Sequence, residues 1–317
     1  MLFFIELFFA DKIFAQTGLD EIKFEGTNPG KLKMFFHLSE KFTVKKIPLV
    51  VVLHGCTQTS ATVADESGWN VLADKYEFNV LYPQQNYMNN SGACFNWYYK
   101  ADVEKDKGEA LSIRQMIAHA VSQFNIDTTQ IFIYGLSAGA AMSMAMLADY
   151  PQLFKAGASL AGGPYMAATN PLQTMPMMYN AIVKTEKEWG DLVRAQNPDY
   201  KGAYPPLIIL YGRTDIVVNY KNSIELVKQW ANICNMNAEH ADEIVNDFEN
   251  SEGLTRSAWK ENDIEKIVVY DFENLGHALP VDPGTAEKQG GQTGLFSVDK
   301  NFFSTYWIAK DFGLIKE

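Results

Sequence analysis

The chain of 317 residues is long enough for one large α/β domain or two small ones. With 47% hydrophobic and 13% aromatic residues it can bury a sizeable core, and no long stretch has the composition of a disordered segment. Its net charge of −11 argues against nucleic acid or an anionic membrane as the main partner.

The first 16 residues resemble the apolar region and cleavage end of a secretory signal peptide, with a cut expected after Ala15. The pattern is atypical, because no basic segment precedes the apolar run and Glu6, Asp11 and Lys12 interrupt it. The segment is too short and too charged to span a membrane, and no other segment qualifies. We therefore expect a secreted or periplasmic protein; the alternative is an N-terminal helix of a cytosolic protein.

Short apolar runs and helical patterns alternate along the rest of the chain. After a mixed edge region at 17–46, strands are predicted at 48–53, 79–83, 131–134, 155–160, 205–211 and 267–270. Helices are predicted at 62–76, 108–124, 138–150, 217–234 and 301–311. This alternation predicts a single α/β domain over 17–317, with a mostly parallel central sheet covered by helices on both faces. The stretch at 165–204 lacks strand character and is expected to be an insertion of helices and loops, and the segment at 237–263 is acidic and polar.

One of these strands, 131–134, runs directly into Gly135-Leu136-Ser137-Ala138-Gly139, and a small-residue helix pattern follows. A Gly-x-Ser-x-Gly between a strand and a helix is typical of a nucleophile elbow, with the serine at the apex of a sharp turn. Bulkier residues at Gly135 and Gly139 would collide with the adjoining backbone. The flanking strand and helix favour this interpretation over a chance motif in a glycine-rich loop. Ser137 is therefore the predicted nucleophile.

A serine hydroxyl needs a base within hydrogen-bond reach, and His277 is the predicted base. It follows the predicted strand at 267–270 by a short loop, beside Gly276. Its position after Ser137 agrees with the order Ser, Asp or Glu, His of α/β-hydrolases. The other four histidines precede the elbow, lie inside a helix pattern or fall in an acidic stretch: His37, His54, His119 and His240.

The carboxylate that orients the base is predicted to be Asp215. It lies in a turn four residues after a strongly apolar strand and ahead of a helix. Asp271, immediately after a strand, is the alternative acid. A simple helix N-cap is the competing role for Asp215. We expect that role to be hardly compatible with catalysis, because the carboxylate can point in only one direction.

Two backbone N–H groups should stabilise the oxyanion of the reaction. One is expected from Ala138, the residue after the nucleophile, and the other from Cys56 in the loop after the strand at 48–53. His54 is then expected to hold this loop by hydrogen bonds of its ring. Cys56 acting as a nucleophile through its sulfur is a competing interpretation, but the sequence offers it no obvious base.

The three cysteines, Cys56, Cys94 and Cys234, lack metal-ligand spacing, so no zinc site is expected, and no cofactor or metal is predicted at all. Cys56 and Cys94 both lie in loops that should approach the active site. In an exported protein they are the candidate disulfide pair, with Cys234 as a free thiol. Three buried free thiols are the alternative.

The substrate pocket is predicted from two segments. Trp97 and Phe95 lie in the loop after Cys94 and could form the floor of an apolar acyl pocket, although ordinary core packing explains them equally well. The insertion at 165–204 should lie over the carboxyl edge of the sheet. Its Met177 and Tyr179 are predicted to form one wall and to favour short acyl groups. A packed helical insertion remote from the site is the alternative.

Several motifs occur in a fixed order along residues 20–313: 53–59, 82–85, 94–98, 135–142, 161–162, 212–219 and 276–278. In these motifs the chain resembles the poly(3-hydroxybutyrate) depolymerase-type esterases and their feruloyl and acetylxylan esterase relatives. The resemblance implies the α/β-hydrolase fold, secretion, and a serine esterase mechanism on hydroxyalkanoate or plant-wall esters. It also implies that Ser137, Asp215 and His277 form a triad and that Cys56 is an oxyanion residue.

We therefore expect a secreted serine carboxylic-ester hydrolase that acts on short hydroxyalkanoate-type esters or oligomers. Only about 40 residues follow His277, so attack on crystalline polymer is not expected. A feruloyl or acetylxylan esterase is the alternative within the class. A serine peptidase or a non-catalytic binding protein on the same fold are alternatives from other classes, and the sequence leaves the oligomeric state open.

Overall fold

A computed structural model describes residues 19–39 and 45–315. The predicted signal peptide and its cleavage position lie outside these residues. In the described ranges, no helix has both the length and the apolar character that crossing a membrane requires.

The strands of the described residues fall in two sheets. They are β1 (Asp20–Ile22), β2 (Lys33–His37), β3 (Ile47–Leu53), β4 (Asn79–Gln84), β5 (Ile126–Leu136), β6 (Ala156–Leu160), β7 (Leu207–Gly212), β8 (Glu243–Val245), β9 (Leu254–Glu261), β10 (Ile264–Phe272), β11 (Leu279–Val281) and β12 (Ser297–Asp299). The large sheet has the order β1-β2-β4-β3-β5-β6-β7-β10-β9-β8, and β11 pairs with β12 separately. From β4 to β10 all neighbours are parallel, whereas the outer strands are antiparallel. The predicted, mostly parallel sheet is confirmed.

Helices cover both faces of this sheet. They are α1 (Ser60–Ser67), α2 (Trp69–Tyr76), α3 (Lys100–Val103), α4 (Gly108–Gln123), α5 (Ala138–Asp149), α6 (Thr174–Asn180), α7 (Glu186–Arg194), α8 (Lys221–Ile233) and α9 (Ser304–Asp311). Alternate residues of β3 point to opposite sides: Leu49 and Val51 join the core under α4, α5 and α8, while Val50 and Val52 join the core under α1, α2 and α9. Burial on both faces explains why the central strands read as continuous apolar runs.

The sequence prediction was wrong about one helix and missed two strands. The helix predicted at 62–76 is two helices, because Gly68 between them has φ +71° and a Cβ there would lie 2.8 Å from the Gly291 nitrogen. The acidic stretch at 237–263 contains β8 and β9, which extend the sheet beyond β10. These strands were missed because an antiparallel edge exposes polar residues and lacks the continuous apolar signal of the parallel core.

The segment at 165–204 contains α6 and α7, and α8 holds it in place. Three buried polar side chains of α8 make the contacts. Asn222 Nδ2 donates to Met177 O at 2.9 Å, and Glu225 Oε2 accepts from Trp189 Nε1 at 2.7 Å. Gln229 Oε1 accepts from the Tyr165 amide at 2.7 Å. Since residues three and four apart share a helix face, one side of α8 fixes the whole segment.

Candidate active site

The turn between β5 and α5 has the geometry of the predicted elbow. Ser137 adopts φ 55° and ψ −116°, a conformation that non-glycine residues rarely take. A Cβ on Gly135 would collide with the backbone of Gly139, and a Cβ on Gly139 would collide with the Leu53 and His54 carbonyls. The two glycines therefore permit the close packing of β3, β5 and α5 that raises Ser137 at the end of the sheet.

The structure brings the three predicted triad residues into one hydrogen-bonded chain. His277 Nε2 lies 2.9 Å from Ser137 Oγ, and His277 Nδ1 lies 2.7 Å from Asp215 Oδ2. The Asp215 side chain is 2% exposed and the His277 side chain is 9% exposed. With Nδ1 donating to the carboxylate, Nε2 is left to accept the proton of the serine hydroxyl. This arrangement can deprotonate Ser137 as its oxygen attacks an electrophile.

The two oxygens of Asp215 serve different partners. While Oδ2 faces His277, Oδ1 accepts hydrogen bonds from the amides of Val217 and Val218, each at 2.8 Å. The expectation that a local backbone role excludes the contact with a base was wrong, because each carboxylate oxygen can accept independently. The backbone hydrogen bonds fix the carboxylate in the orientation that presents Oδ2 to the imidazole.

Asp271, the alternative acid, is paired elsewhere. Both of its oxygens lie within 3.1 Å of Arg213 Nε, and Oδ2 lies 2.7 Å from Arg213 Nη2. The ion pair with Asp271 raises the pKa of the Arg213 guanidinium above its usual range. Asp271 therefore lies beside the loop that carries Asp215, but a bidentate ion pair occupies it.

Cys56 and Cys94 form a disulfide, so the predicted pairing is confirmed, and Cys234 is a free cysteine. The bond joins the loop after β3 to the loop that carries Trp97. The same two loops also meet through the Thr57 amide, which donates to the Gly92 carbonyl at 2.7 Å. With its sulfur in a disulfide, Cys56 has no free thiolate, which removes the interpretation of Cys56 as a nucleophile.

His54 holds the loop after β3, as expected. The ring is fully buried; its Nε2 accepts from the Gln85 amide at 3.0 Å and its Nδ1 donates to the Gly55 carbonyl at 2.7 Å. Burial lowers the pKa of the imidazole to about 4, so the ring is neutral at ordinary pH. The Gly55 carbonyl and the Cys56 N–H belong to one trans peptide and point in opposite directions. By binding the carbonyl, His54 orients the Cys56 N–H.

An open cleft lies beside Ser137, with about 340 Å³ of space when the solvent at its mouth is included. It is lined by Cys56, Trp97, Ser137, Ala138, Ala141, Ala161, Gly162, Gly163, Met177, Met178 and Val218. Ala138 is the first residue of α5, where the N–H groups have no acceptor within the helix. Of the predicted pocket residues, Trp97 and Met177 line the cavity.

Phe95 and Tyr179 do not line this cavity, which corrects the prediction. Phe95 is fully buried and packs against the His54 ring, with 4.9 Å between ring centroids. Tyr179 is half exposed to solvent, on α6. The residue next to Met177 in the cavity wall is Met178, because the helix turns Tyr179 away from it.

The family described as Esterase PHB depolymerase matches residues 32–245. Poly(3-hydroxyalkanoate) depolymerase C of Paucimonas lemoignei is 38% identical over 299 residues, which are 94% of this chain and 70% of that protein. This chain belongs to the PHB depolymerase esterase family. The acetylxylan esterase of Coprinopsis cinerea is 31% identical, over 83% of this chain and 69% of that protein.

The fold of this esterase is that of a solved acetyl xylan esterase from Aspergillus awamori. The two structures share a TM-score of 0.75 at 23% identity, over 82% of this chain and 93% of the other. The predicted α/β-hydrolase fold and the predicted class of enzyme, a carboxylic-ester hydrolase, are confirmed.

One buried carboxylate near the site of the esterase escaped the sequence analysis. Glu109 is the second residue of α4, where an acidic residue ordinarily faces solvent and complements the helix dipole. Here it is fully buried, and burial raises its pKa to about 8. Its sequence position offered no signal, because the burial comes from distant segments that fold over it.

Proposed function

We propose that this esterase cleaves short hydroxyalkanoate-type esters and oligomers through an acyl-enzyme on Ser137. His277 is the general base and acid, Asp215 orients it, and the N–H groups of Cys56 and Ala138 bind the oxyanion. The observation that carries the proposal is the continuous chain of hydrogen bonds from Asp215 through His277 to Ser137, at 2.7 and 2.9 Å.

In the first half-reaction, Ser137 Oγ bonds to the carbonyl carbon of the ester while its proton passes to His277 Nε2. The carbonyl oxygen becomes an oxyanion that the two N–H groups and the N-terminus of α5 stabilise. The bond from carbon to the alcohol oxygen then breaks, and the imidazolium gives its proton to the leaving alcohol. Water repeats the sequence on the acyl-enzyme and releases the acid and Ser137.

The character of the cleft supports an apolar and compact acyl group. Met177, Met178 and Val218 line it, and no charged side chain does so among the residues that the structure describes. On the segments that carry Met177 and Val218, large apolar side chains are exposed to solvent: Leu172, Met175 and Ile216. Exposed apolar side chains on these segments suit chains of hydroxyalkanoate units better than hydrated polysaccharide.

Acetylxylan ester is the second candidate substrate. The similarity to the acetylxylan esterase of Coprinopsis cinerea favours it, since that protein is 31% identical over most of this chain. An acetyl group also fits a cleft of this size. The higher identity to the poly(3-hydroxyalkanoate) depolymerase, 38%, supports hydroxyalkanoates as the first candidate.

We also infer that the protein is exported, to the periplasm or the medium. The Cys56–Cys94 disulfide supports this inference, because such bonds persist in oxidising compartments. Expression of the full chain with fractionation and N-terminal sequencing tests it. Export with mature protein beginning near Gln16 is expected; full-length protein with free thiols in the cytosol would contradict it.

A substrate panel tests the proposed function. Purified wild type and Ser137→Ala are assayed on p-nitrophenyl butyrate, 3-hydroxybutyrate trimer, methyl ferulate, acetylated xylan and a peptide nitroanilide. The trimer and butyrate ester are expected to be cleaved fastest and the peptide not at all. Ser137→Ala should lose about a millionfold in kcat. Activity of that variant within tenfold of wild type would refute the mechanism, and preference for acetylated xylan would refute the substrate class.

A further inference from the structure

Glu109 is shielded from solvent by segments that are far apart in the chain. The loop before β2 lies against it, and a Cβ on Gly30 would come within 2.6 Å of the Glu109 Cα. Glu109 is absent from the lining of the cleft, so it does not contact substrate there. A buried carboxylate is costly unless hydrogen bonds satisfy its oxygens, and those of Glu109 have two strong donors.

The first donor leads to the loop after β3. Glu109 Oε1 accepts from Gln85 Nε2, and the Gln85 backbone N–H donates to His54 Nε2 at 3.0 Å. His54 Nδ1 in turn binds the Gly55 carbonyl, on the peptide whose N–H belongs to Cys56. Glu109 thus holds Gln85, which in turn holds the His54 ring next to the peptide of Cys56, the proposed oxyanion donor.

The second donor leads to the other side of the cleft. Glu109 Oε2 accepts from the Asn96 backbone N–H at 2.8 Å. Asn96 lies between Phe95 and Trp97, two residues after the disulfide, and Trp97 lines the cleft. The Asn96 side chain accepts from Asn90 Nδ2 at 2.9 Å, which ties it to the rest of the same loop.

We propose that Glu109 is a positioning residue that sets the Cys56 N–H and the Trp97 wall in one common geometry. The inference rests on the proposed function, because it presumes that the Cys56 N–H binds the oxyanion. Beyond that function, the inference assigns to Glu109 an effect on the reaction that is transmitted through two loops, without contact with the substrate.

The hydrogen-bond pattern explains why this residue is a carboxylate. Gln85 Oε1 already accepts from the Asn86 N–H and from Asn89 Nδ2, both at 2.9 Å, so Gln85 must present its NH₂ group to Glu109. Asn96 presents an N–H as well. Burial raises the pKa of Glu109, but the two donors that face it lower the pKa and favour the ionised group. The carboxylate accepts on both oxygens and satisfies both neighbours, whereas an amide would turn its own NH₂ toward one of them.

This pattern predicts a rescue by exchange. In Glu109→Gln, the new NH₂ group faces the donor of either Gln85 or Asn96, and the two groups must move apart. We expect kcat on p-nitrophenyl butyrate to fall at least about tenfold, since small displacements of catalytic groups are costly. Adding Gln85→Glu restores the pairing, because the new carboxylate can accept from the Asn86 N–H, Asn89 Nδ2 and the new amide. The double variant should recover kcat to within about threefold of wild type. A double-mutant cycle then measures the coupling between positions 85 and 109.

Asp311→Asn is the matched control. Asp311 is a partly buried carboxylate on α9 that accepts from Tyr270 Oη at 2.8 Å and from Arg256 at 3.2 Å, and it is not part of the cleft lining. Its loss should lower the melting temperature and leave kcat within about twofold. All variants are assayed at a temperature where circular dichroism shows them folded.

The inference is overturned if folded Glu109→Gln keeps kcat within twofold of wild type, or if Asp311→Asn loses as much kcat. Should Glu109→Gln fail to fold, Gln85→Met tests the same link. It removes the bond to Glu109 Oε1, together with the acceptor of the Asn86 and Asn89 donors, and keeps the bond from the Asn96 N–H to Glu109. An unchanged kcat in folded Gln85→Met would also overturn it. A wild type without esterase activity, in contrast, would refute the proposed function itself.

Discussion

The two sides of the cleft are built differently. On one side, the loop after β3 and the Trp97 loop are held by a disulfide and by the fully buried polar groups His54, Gln85 and Glu109. On the other side, the α6 segment supplies Met177 and Met178, and polar side chains of α8 hold its backbone. We call the first, which carries the proposed oxyanion donor Cys56, the oxyanion side, and we call the second the insertion side.

The difference separates two requirements of an ester hydrolase. Oxyanion donors must hold one position to within a fraction of an ångström, which a covalent bond and buried hydrogen bonds provide. An acyl wall only needs to exclude water and set a size, and flexible thioether side chains do this well. Changes on the oxyanion side should therefore affect kcat, and changes on the insertion side should affect the choice of substrate.

Apart from loss of the nucleophile, the largest effect is expected at Asp215, the carboxylate that contacts His277. Asp215→Asn should lower kcat about 10⁴-fold, because an amide no longer holds His277 in the required tautomer. Asp271→Asn is the matched control, since it removes a carboxylate of β10 that is paired with Arg213, two residues before Asp215. It should retain kcat within about threefold in steady-state assays. The reverse result would make Asp271 the acid.

The disulfide should matter first for the oxyanion side and then for the whole fold. It closes a span of 38 residues, so Cys56→Ser with Cys94→Ser should lower the free energy of unfolding by about 4 kcal/mol. Activity should fall at lower denaturant concentrations than the loss of far-UV circular dichroism. If the double variant lost activity and far-UV circular dichroism at the same denaturant concentration, the disulfide would stabilise only the fold as a whole and not the cleft in particular.

Acid should weaken the oxyanion side through His54. Burial lowers its folded pKa to about 4 from an unfolded value near 6.5, so the unfolded chain binds the extra proton between these pH values. The stabilisation is fully present above pH 6.5 and is lost as the pH falls toward 4, by up to about 3 kcal/mol. Denaturant titrations across this range measure it. The free energy of unfolding should depend less steeply on pH in His54→Asn than in wild type. An equal dependence would assign the loss of stability to other groups.

The smallest effect is expected on the insertion side. Met177→Ala enlarges the cleft and should raise the rate on octanoate relative to butyrate p-nitrophenyl esters about three- to tenfold, the scale of one or two methylene contacts. Tyr179→Ala is the matched control two residues away, since Tyr179 is exposed outside the cavity. It should leave the ratio unchanged. A shift in Tyr179→Ala and none in Met177→Ala would place the wall elsewhere.

Local patterns predicted the parts of this site that depend on neighbouring residues. A strand, two glycines and a helix around Ser137 determine the elbow, and a strand-end turn places Asp215. The disulfide was one of two alternatives in the sequence, because the proximity of Cys56 and Cys94 depends on how two loops approach each other.

The parts that escaped prediction depend on distant contacts. Glu109 has the sequence context of a solvent-facing helix start, and segments distant in the chain, among them the loop around Gly30 and those that carry Gln85 and Asn96, bury it. Phe95 and Trp97 share a short aromatic loop, yet one packs on His54 and the other lines the cleft. Tyr179 follows the cavity residues Met177 and Met178 directly, and only the direction of α6 decides that it faces solvent.

The central claim, that Ser137 is the acylated residue and His277 activates it, can be tested by covalent labelling. The wild-type esterase is inactivated with diethyl p-nitrophenyl phosphate, which phosphorylates an activated serine and releases p-nitrophenol. Peptide mapping by mass spectrometry should find one diethylphosphoryl group, on Ser137, with p-nitrophenol released in equal amount as activity is lost. His277→Ala should not be labelled. Complete inactivation with the label on another residue, or equal labelling of His277→Ala, would contradict the account.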